Sequence, residues 1–259
     1  MNHHKLLMAL AAVLALFFGA SSVVLASEDN TIVMGVYDAP PNIIRENGRI
    51  KGISSQYIKV IEMVSDLEVA LEPMPYSRLV FSRASEDVDM VNAFVNAELE
   101  QNAEILTRTG RVKAYLVTLE GVDLFAKPPS ENVSVGITRG LRTLVKAMDP
   151  PAPSRWNIVG LKDEQHGLRA VMLGRLDGMY VTDIAYDYFT DLVPEMKATN
   201  FKTHKAGLLD IYLWTRKGES SKPKYQRLKK IVDRMSFNGN LPVKWWDISD
   251  FLDFISNNE

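Results

Sequence analysis

Four short polar stretches stand where chemistry could be done: Tyr37-Asp38, Asn96, Thr138-Arg139-Gly140 and Thr182-Asp183. Each follows an apolar burst that reads as a buried strand: "IVMGV", "VDMVNAFV", "VSVGI" and "GMYV". In open α/β sheets small molecules sit beyond the carboxyl ends of the strands. Hydroxyls, an amide, an arginine and carboxylates gathered there would hold a small polar molecule by hydrogen bonds and charge. Asp183 is the sharpest case. An acid at that place either caps the helix "IAYDYF" or faces the crevice, and the two roles are compatible. Tyr76 and Arg78 in "PYSRL" add a ring that can stack and a cation. Arg78 reads equally well as a surface helix residue, and Arg139 reads first as a solvated loop arginine.

The residue types that would signal catalysis or a metal centre are not arranged for it. Beyond the first residues the histidines are His166 and His204, and neither has zinc-site spacing. The sequence contains no G-x-S-x-G elbow, phosphate-binding loop or dinucleotide fingerprint. Neither a cofactor nor a metal is implied, and no residue is assigned a catalytic role. With no Cys there is no disulfide, no thiolate site and no lipidated cysteine. Lys plus Arg total 30 against 32 for Asp plus Glu, a formal net charge of −2. That balance argues against a nucleic-acid binder, which usually shows a basic face.

The start "MNHHKLLMALAAVLALFFGASSVVLASEDN" has a basic head, an apolar run from Leu6 to Phe18, and small residues before Ala26. This is the three-part pattern of a secretory signal peptide over residues 1–26, with export to the periplasm as the expectation. The apolar run is shorter than the ~20 residues of a spanning helix.

The elements that would position the polar stretches follow one plan twice. "TIVMGV" reads as a strand, and "SSQYIKVIEMVSDL" as a helix with Ser54 or Ser55 as its cap. Tyr57, Ile58, Ile61, Val64 and Leu67 form its apolar stripe. The strand "EVALEPM", a short helix in "SRLVFSRASED" and the strand "VDMVNAFV" complete the first round. The second round runs "VSVGI", a helix from Leu141 to Met148, "NIVGL", a helix around "EQHGLRAVMLGRL", and "GMYV". Gly35 and Gly136 then correspond, as do Asp89 and Asp177. Strand–helix alternation, repeated, predicts two α/β lobes with mostly parallel sheets flanked by helices. After "DIYLWTR" come the helix "KPKYQRLKKIVDRM" and a short one in "NGNLPVKWWDISDFLDFI", with no lobe of their own. The expected division is residues 27–113 plus 217–259 for lobe 1 and 114–216 for lobe 2. Two crossings make a hinge, and a hinge between lobes makes a cleft.

In serial order, "VMGVYDAPPN…ENGRIKGISSQYIKVIEMV", "MPYSRL", "VDMVNAFVN", "VSVGITRGLR", "GRLDGMYVTDIAYDYF" and "IYLWTRKGE" resemble the type 2 periplasmic solute-binding proteins of the amino-acid-binding kind. The resemblance implies a Venus-flytrap fold and a monomer that closes on a small polar solute. The implied partners are an ABC-type permease or a membrane sensor. It also implies that Asp183 accepts a ligand ammonium group. The chain departs from the family in one respect. Members that bind amino acids carry an Arg shortly after the third strand, which pairs bidentately with the ligand carboxylate, and a Thr after the second-lobe Gly pair. Here no Arg or Lys lies between Val95 and Leu106, and Leu141 follows Gly140. Free α-amino acids are therefore expected to bind poorly, unless Arg78 or Arg139 substitutes. A cleft enzyme of the cyclohexadienyl dehydratase type is the alternative, with Asp183 or Asp38 as a general acid.

Overall fold

The computed structural model describes residues 30–81 and 87–235. The expected signal peptide and the last short helix lie outside the described residues. The first round begins with β1 (Thr31–Tyr37), followed by a small hairpin of β2 (Ile44–Glu46) and β3 (Arg49–Lys51). Then come α1 (Ile53–Met63), β4 (Glu68–Met74), α2 (Tyr76–Phe81), β5 (Met90–Phe94) and α3 (Ala97–Asn102). A long strand, β6 (Ala103–Leu119), leads to the second round. This consists of β7 (Ser134–Thr138), a 3-10 turn (Arg142–Ala147), β8 (Asn157–Leu161), α4 (Glu164–Met172) and β9 (Gly178–Thr182), then α5 (Asp183–Leu192) and α6 (Pro194–Lys197). A second long strand, β10 (Phe201–Arg216), and α7 (Pro223–Met235) end the described chain.

Eight strands form one sheet in the order β4-β1-β5-β10-β6-β9-β7-β8. The outer three on each side are parallel, as expected for strands linked by crossover helices. The long strands β6 and β10 run antiparallel through the middle. Ile211–Thr215 of β10 pairs with β5, while Ala114–Val117 of β6 pairs with β9. Both long strands therefore pass from one half of the sheet to the other. Their pairing is irregular between Lys205 and Gly207, between Ile211 and Tyr212, and between Leu213 and Trp214. Ile211–Thr215 thus sits in the first half of the sheet.

The two rounds reuse the same devices. The Asp89 carboxylate accepts from Val33 N–H at 2.9 Å, and the Asp89 N–H donates to Val33 O. In the second round the Asp177 carboxylate accepts from Ser134 N–H at 2.7 Å, and its N–H donates to Ser134 O. Each acid therefore staples the start of the first strand of its round. The paired glycines share a cause as well. A Cβ on Gly136 would stand 2.6 Å from Met179 Sδ and 2.7 Å from Leu161 Cδ1. One on Gly35 would stand 3.1 Å from both Leu79 and Val91. A side chain at either position would push the neighbouring side chains that cross these strands, severely at Gly136 and by a few tenths of an ångström at Gly35.

Apolar burial divides the same way. Ile32, Met34, Ile58, Ile61 and Leu213 pack with Tyr225, Leu228 and Val232 of α7, so this helix seals the first half. Leu168, Val171, Met179, Phe189 and Met196 form the core of the second. A further buried cluster runs through both, from Tyr37, Tyr76 and Phe94 to Ile137, Leu141 and Tyr180.

Some local expectations need correction. α1 is capped at Gly52 without a side-chain bond, and Ser54 lies buried inside its first turn. Its stripe ends before Val64, which is 54% exposed. The expected helix Leu141–Met148 is a 3-10 turn over Arg142–Ala147.

Candidate functional site

Tyr37, the last residue of β1, sends its hydroxyl across to the second half and donates to Glu164 Oε2 at 2.9 Å. Glu164 opens α4, just past the Asp163 cap. This is the first turn after β8, a strand end not counted among the candidate polar stretches. The signal was there: "NIVGL" ends at Leu161, and Lys162-Asp163-Glu164 follows as the polar residues of a strand–helix junction.

Glu164 is 5% exposed, and burial raises its pKa above the ordinary carboxyl range. The backbone N–H at the start of the helix and the Tyr37 hydroxyl pull the other way, and Asp163 adds to the rise. Burial dominates, because the charged form of a desolvated acid loses its water. Tyr37 is pushed up for the same reason, with Glu164 adding to it. Thr138 ends β7 fully buried beside this pair. Its hydroxyl meets no partner in hydrogen-bonding geometry. The Tyr180 hydroxyl is buried without a partner too, and burial pushes its pKa up to about 12.

A cavity of about 50 Å³ lies against Glu164, walled by Tyr37, Tyr76, Phe94, Leu141, Thr182 and Ile184 among others. A smaller one of about 20 Å³ touches Glu164, Tyr180 and Thr182 from the other side. Both are far below the ~300–1,000 Å³ of ordinary ligand pockets. The halves are in contact here. Tyr76 stands edge-on to Tyr37 at 5.5 Å and tilted to Phe94 at 6.0 Å. Its hydroxyl accepts from Phe94 N–H. Asn96 caps α3 through its side-chain oxygen and donates from Nδ2 to Gly140 O of the second half at 3.2 Å.

The remaining candidates are placed as follows. Thr182 caps α5 by accepting from Ala185 N–H and lines both cavities. Asp183, half-buried, accepts from Ile184 N–H at 3.0 Å and from Lys113 N–H of β6 at 3.1 Å. It therefore ties the helix start to the long strand, and burial raises its pKa. The Asp38 carboxylate is held by Arg45 of the β2–β3 hairpin at 3.1 Å. Arg78 is exposed on α2 and does not line the cavities beside Glu164. Arg139 is exposed as well. It lines a separate open groove of about 830 Å³ with Arg142, Lys146, Glu98, Phe81 and Trp156. The structure thus gathers Tyr37, Tyr76, Thr138 and Thr182 around Glu164, while Asn96 bonds across to Gly140. It leaves Asp38, Arg78 and Arg139 to the side. Among the described residues no His/Cys/Asp/Glu group could hold a metal.

No protein-family model matches the chain, and no curated protein matches it by sequence. Solved structures do. An ancestral amino acid-binding protein described as a precursor of cyclohexadienyl dehydratase superposes with a TM-score of 0.67 at 16% identity, covering 84% of this chain and 96% of that one. A putative binding component of an ABC transporter from Wolinella succinogenes, complexed with lysine, gives 0.65 at 11% identity, with 81% and 91% covered. The periplasmic VFT2 domain of Bordetella pertussis BvgS gives 0.56 at 19% identity, with 80% and 93% covered. The chain has the Venus-flytrap fold shared by these amino acid-binding and transport-associated proteins and the periplasmic VFT2 domain.

Proposed function

We propose that this chain is an extracytoplasmic solute-binding protein that captures a small polar solute between its two halves. It then presents the closed form to an ABC-type permease or a membrane sensor. One observation carries the reading. The halves of the sheet are joined by two long antiparallel strands, and strand ends of both meet at a largely apolar cavity that holds one buried acid, Glu164. Gly110–Ala114 of β6 and Gly207–Ile211 of β10 are the hinge in this reading, because sheet partners change there. The first lobe then includes the β10 end beside β5, and α7 belongs to it. Residues 1–26 act as a cleaved signal peptide, the mature protein works as a monomer in the periplasm, and binding involves no chemistry on the solute. Native mass spectrometry of exported protein tests this: a non-covalent small molecule, lost on unfolding, is the expected result. Retention of the first 26 residues in exported material would count against the leader.

A second reading has an observation of its own. A general acid benefits from a carboxyl whose pKa is raised, and burial raises that of Glu164. It replaces Asp183 and Asp38 as the acid of a dehydratase-type enzyme. Substrates of that class carry carboxylates, for which the cavity wall offers no cation among the described residues. Binding without turnover is therefore preferred, and incubation with prephenate or arogenate decides by product formation.

A further inference from the structure

Resting on the solute-binding reading, we propose that the cleft is built for an organic cation without a carboxylate, with Glu164 as its counter-ion and Tyr37, Tyr76 and Phe94 as its aromatic walls. Among the described residues lining the cavity, Glu164 is the single acid, and neither Lys nor Arg joins it. The nearby cations are engaged or turned away. Arg45 is paired with Asp38, while Arg139, Arg142 and Lys146 line the outer groove. A carboxylate brought into this cavity would meet a buried acid and no opposite charge. An unpaired buried charge of that kind costs several kcal/mol after relaxation, on the order of the whole binding energy of a micromolar ligand.

A cation meets the reverse situation. An alkylammonium beside Glu164 pairs with its carboxylate, and the aromatic rings lining the same cavity favour positive charge over their faces. The unpartnered hydroxyls of Thr138 and Tyr180 stand ready to accept from an amine N–H or from water beside it. The groups facing Glu164 are Tyr37 from β1, Thr138 from β7, Tyr180 and Thr182 from β9, and Asp163 from its own helix start. None of them is cationic. Burial disfavours the charged form of Glu164, so arrival of a cation should favour loss of its proton to solvent.

The experiment is titration calorimetry on the exported protein, folded by circular dichroism. The probes are tetramethylammonium, choline, putrescine and n-butylammonium against acetate, succinate and the zwitterions alanine and lysine. Each is run in two buffers of different ionisation enthalpy. At least one carboxylate-free cation should bind, at least ten-fold tighter than any acid or zwitterion, and release up to one proton per site. Glu164→Gln should weaken it ten-fold or more and abolish the release, while Tyr37→Phe should keep the release. An acid, a zwitterion or a neutral solute that binds best would overturn the cation assignment and leave the solute-binding reading standing. So would unchanged cation affinity in Glu164→Gln. No ligand in calorimetry and none in native mass spectrometry would overturn both.

Discussion

Gly140→Ala should loosen the contact between the halves without disturbing either core. Gly140 follows β7 with φ 96°, in the region that L side chains rarely adopt. A Cβ there would stand 3.0 Å from Ser77 Cα, 3.1 Å from Ser77 N and 3.1 Å from Tyr76 Cδ1. Two of these atoms are backbone, so a rotamer change cannot relieve them. The penalty has two parts. Strain at φ is local to the turn and costs ~1–3 kcal/mol in either conformer. The steric part acts across the halves, costs ~1–3 kcal/mol, and vanishes when they part. It also displaces the carbonyl that Asn96 holds. The ratio of closed to open forms should therefore fall by roughly 5–150-fold, with a lower melting temperature as well. Small-angle X-ray scattering should show a larger radius of gyration, and amide exchange should rise at Tyr76, Ser77 and Asn96. Gly160→Ala is the control. That glycine neighbours Arg139, but its Cβ would meet nothing nearer than 3.8 Å. The reasoning fails if Gly140→Ala keeps the wild-type radius, or if Gly160→Ala expands the protein equally.

Glu164→Gln should flatten the pH dependence of stability. The folded acid titrates above its unfolded value near ~4.3, so its unfavourable contribution appears as pH rises from about 4 through the folded pKa. Relative to the variant, wild type should lose melting temperature over that window and gain it back below; parallel curves would contradict it. Gly167→Ala should cost ~1–3 kcal/mol in urea unfolding, since its Cβ would stand 2.4 Å from Met179 Sδ in the second-half core. The double variant with Met179→Ala should be less destabilised than the sum of the single ones; strict additivity would exclude the clash. Asp89→Ala and Asp177→Ala should each lose ~1–3 kcal/mol by releasing a first-strand N–H, with Asn better tolerated at both. Unequal behaviour of the two sites would argue against the repeat.

The alternation of strands and helices was readable because each buried strand is a short β-branched run bounded by polar turns. The correspondence of Asp89 with Asp177 was readable too, and the structure gives it a shared bond. The long strands were not. Ala103–Leu119 mixes Arg108, Arg111 and Lys113 with apolar residues, because one half-buried strand serves two environments in turn. β10 alternates the same way over Phe201–Arg216, and its first half reads as loop. At the site, strand-end logic pointed to Tyr37 and Thr182, which line the cavity. It passed over Glu164 because an acid in the first turn of a helix ordinarily reads as a solvated dipole partner. The partner of that acid is Tyr37, which stands 127 positions away in sequence. No local pattern encodes such a pairing.

That pairing also sets the terms on which a ligand can enter. Tyr37–Glu164 and Asn96–Gly140 both cross between the halves, and each contributes ~0.5–1.5 kcal/mol net to holding them together. If only the open form admits a ligand, its apparent affinity falls by the fraction of molecules that are open. A ligand that leaves Glu164 buried and unpartnered loses the Tyr37 bond as well and recovers nothing. One that takes over as the partner of Glu164 restores the lost energy with a stronger, charge-assisted contact. On the proposed reading, Tyr37–Glu164, one of these two bonds across the halves, is thus a bond that a ligand must replace. On that reading one carboxyl group contributes to both closure and selectivity, and a substitution there should move both together.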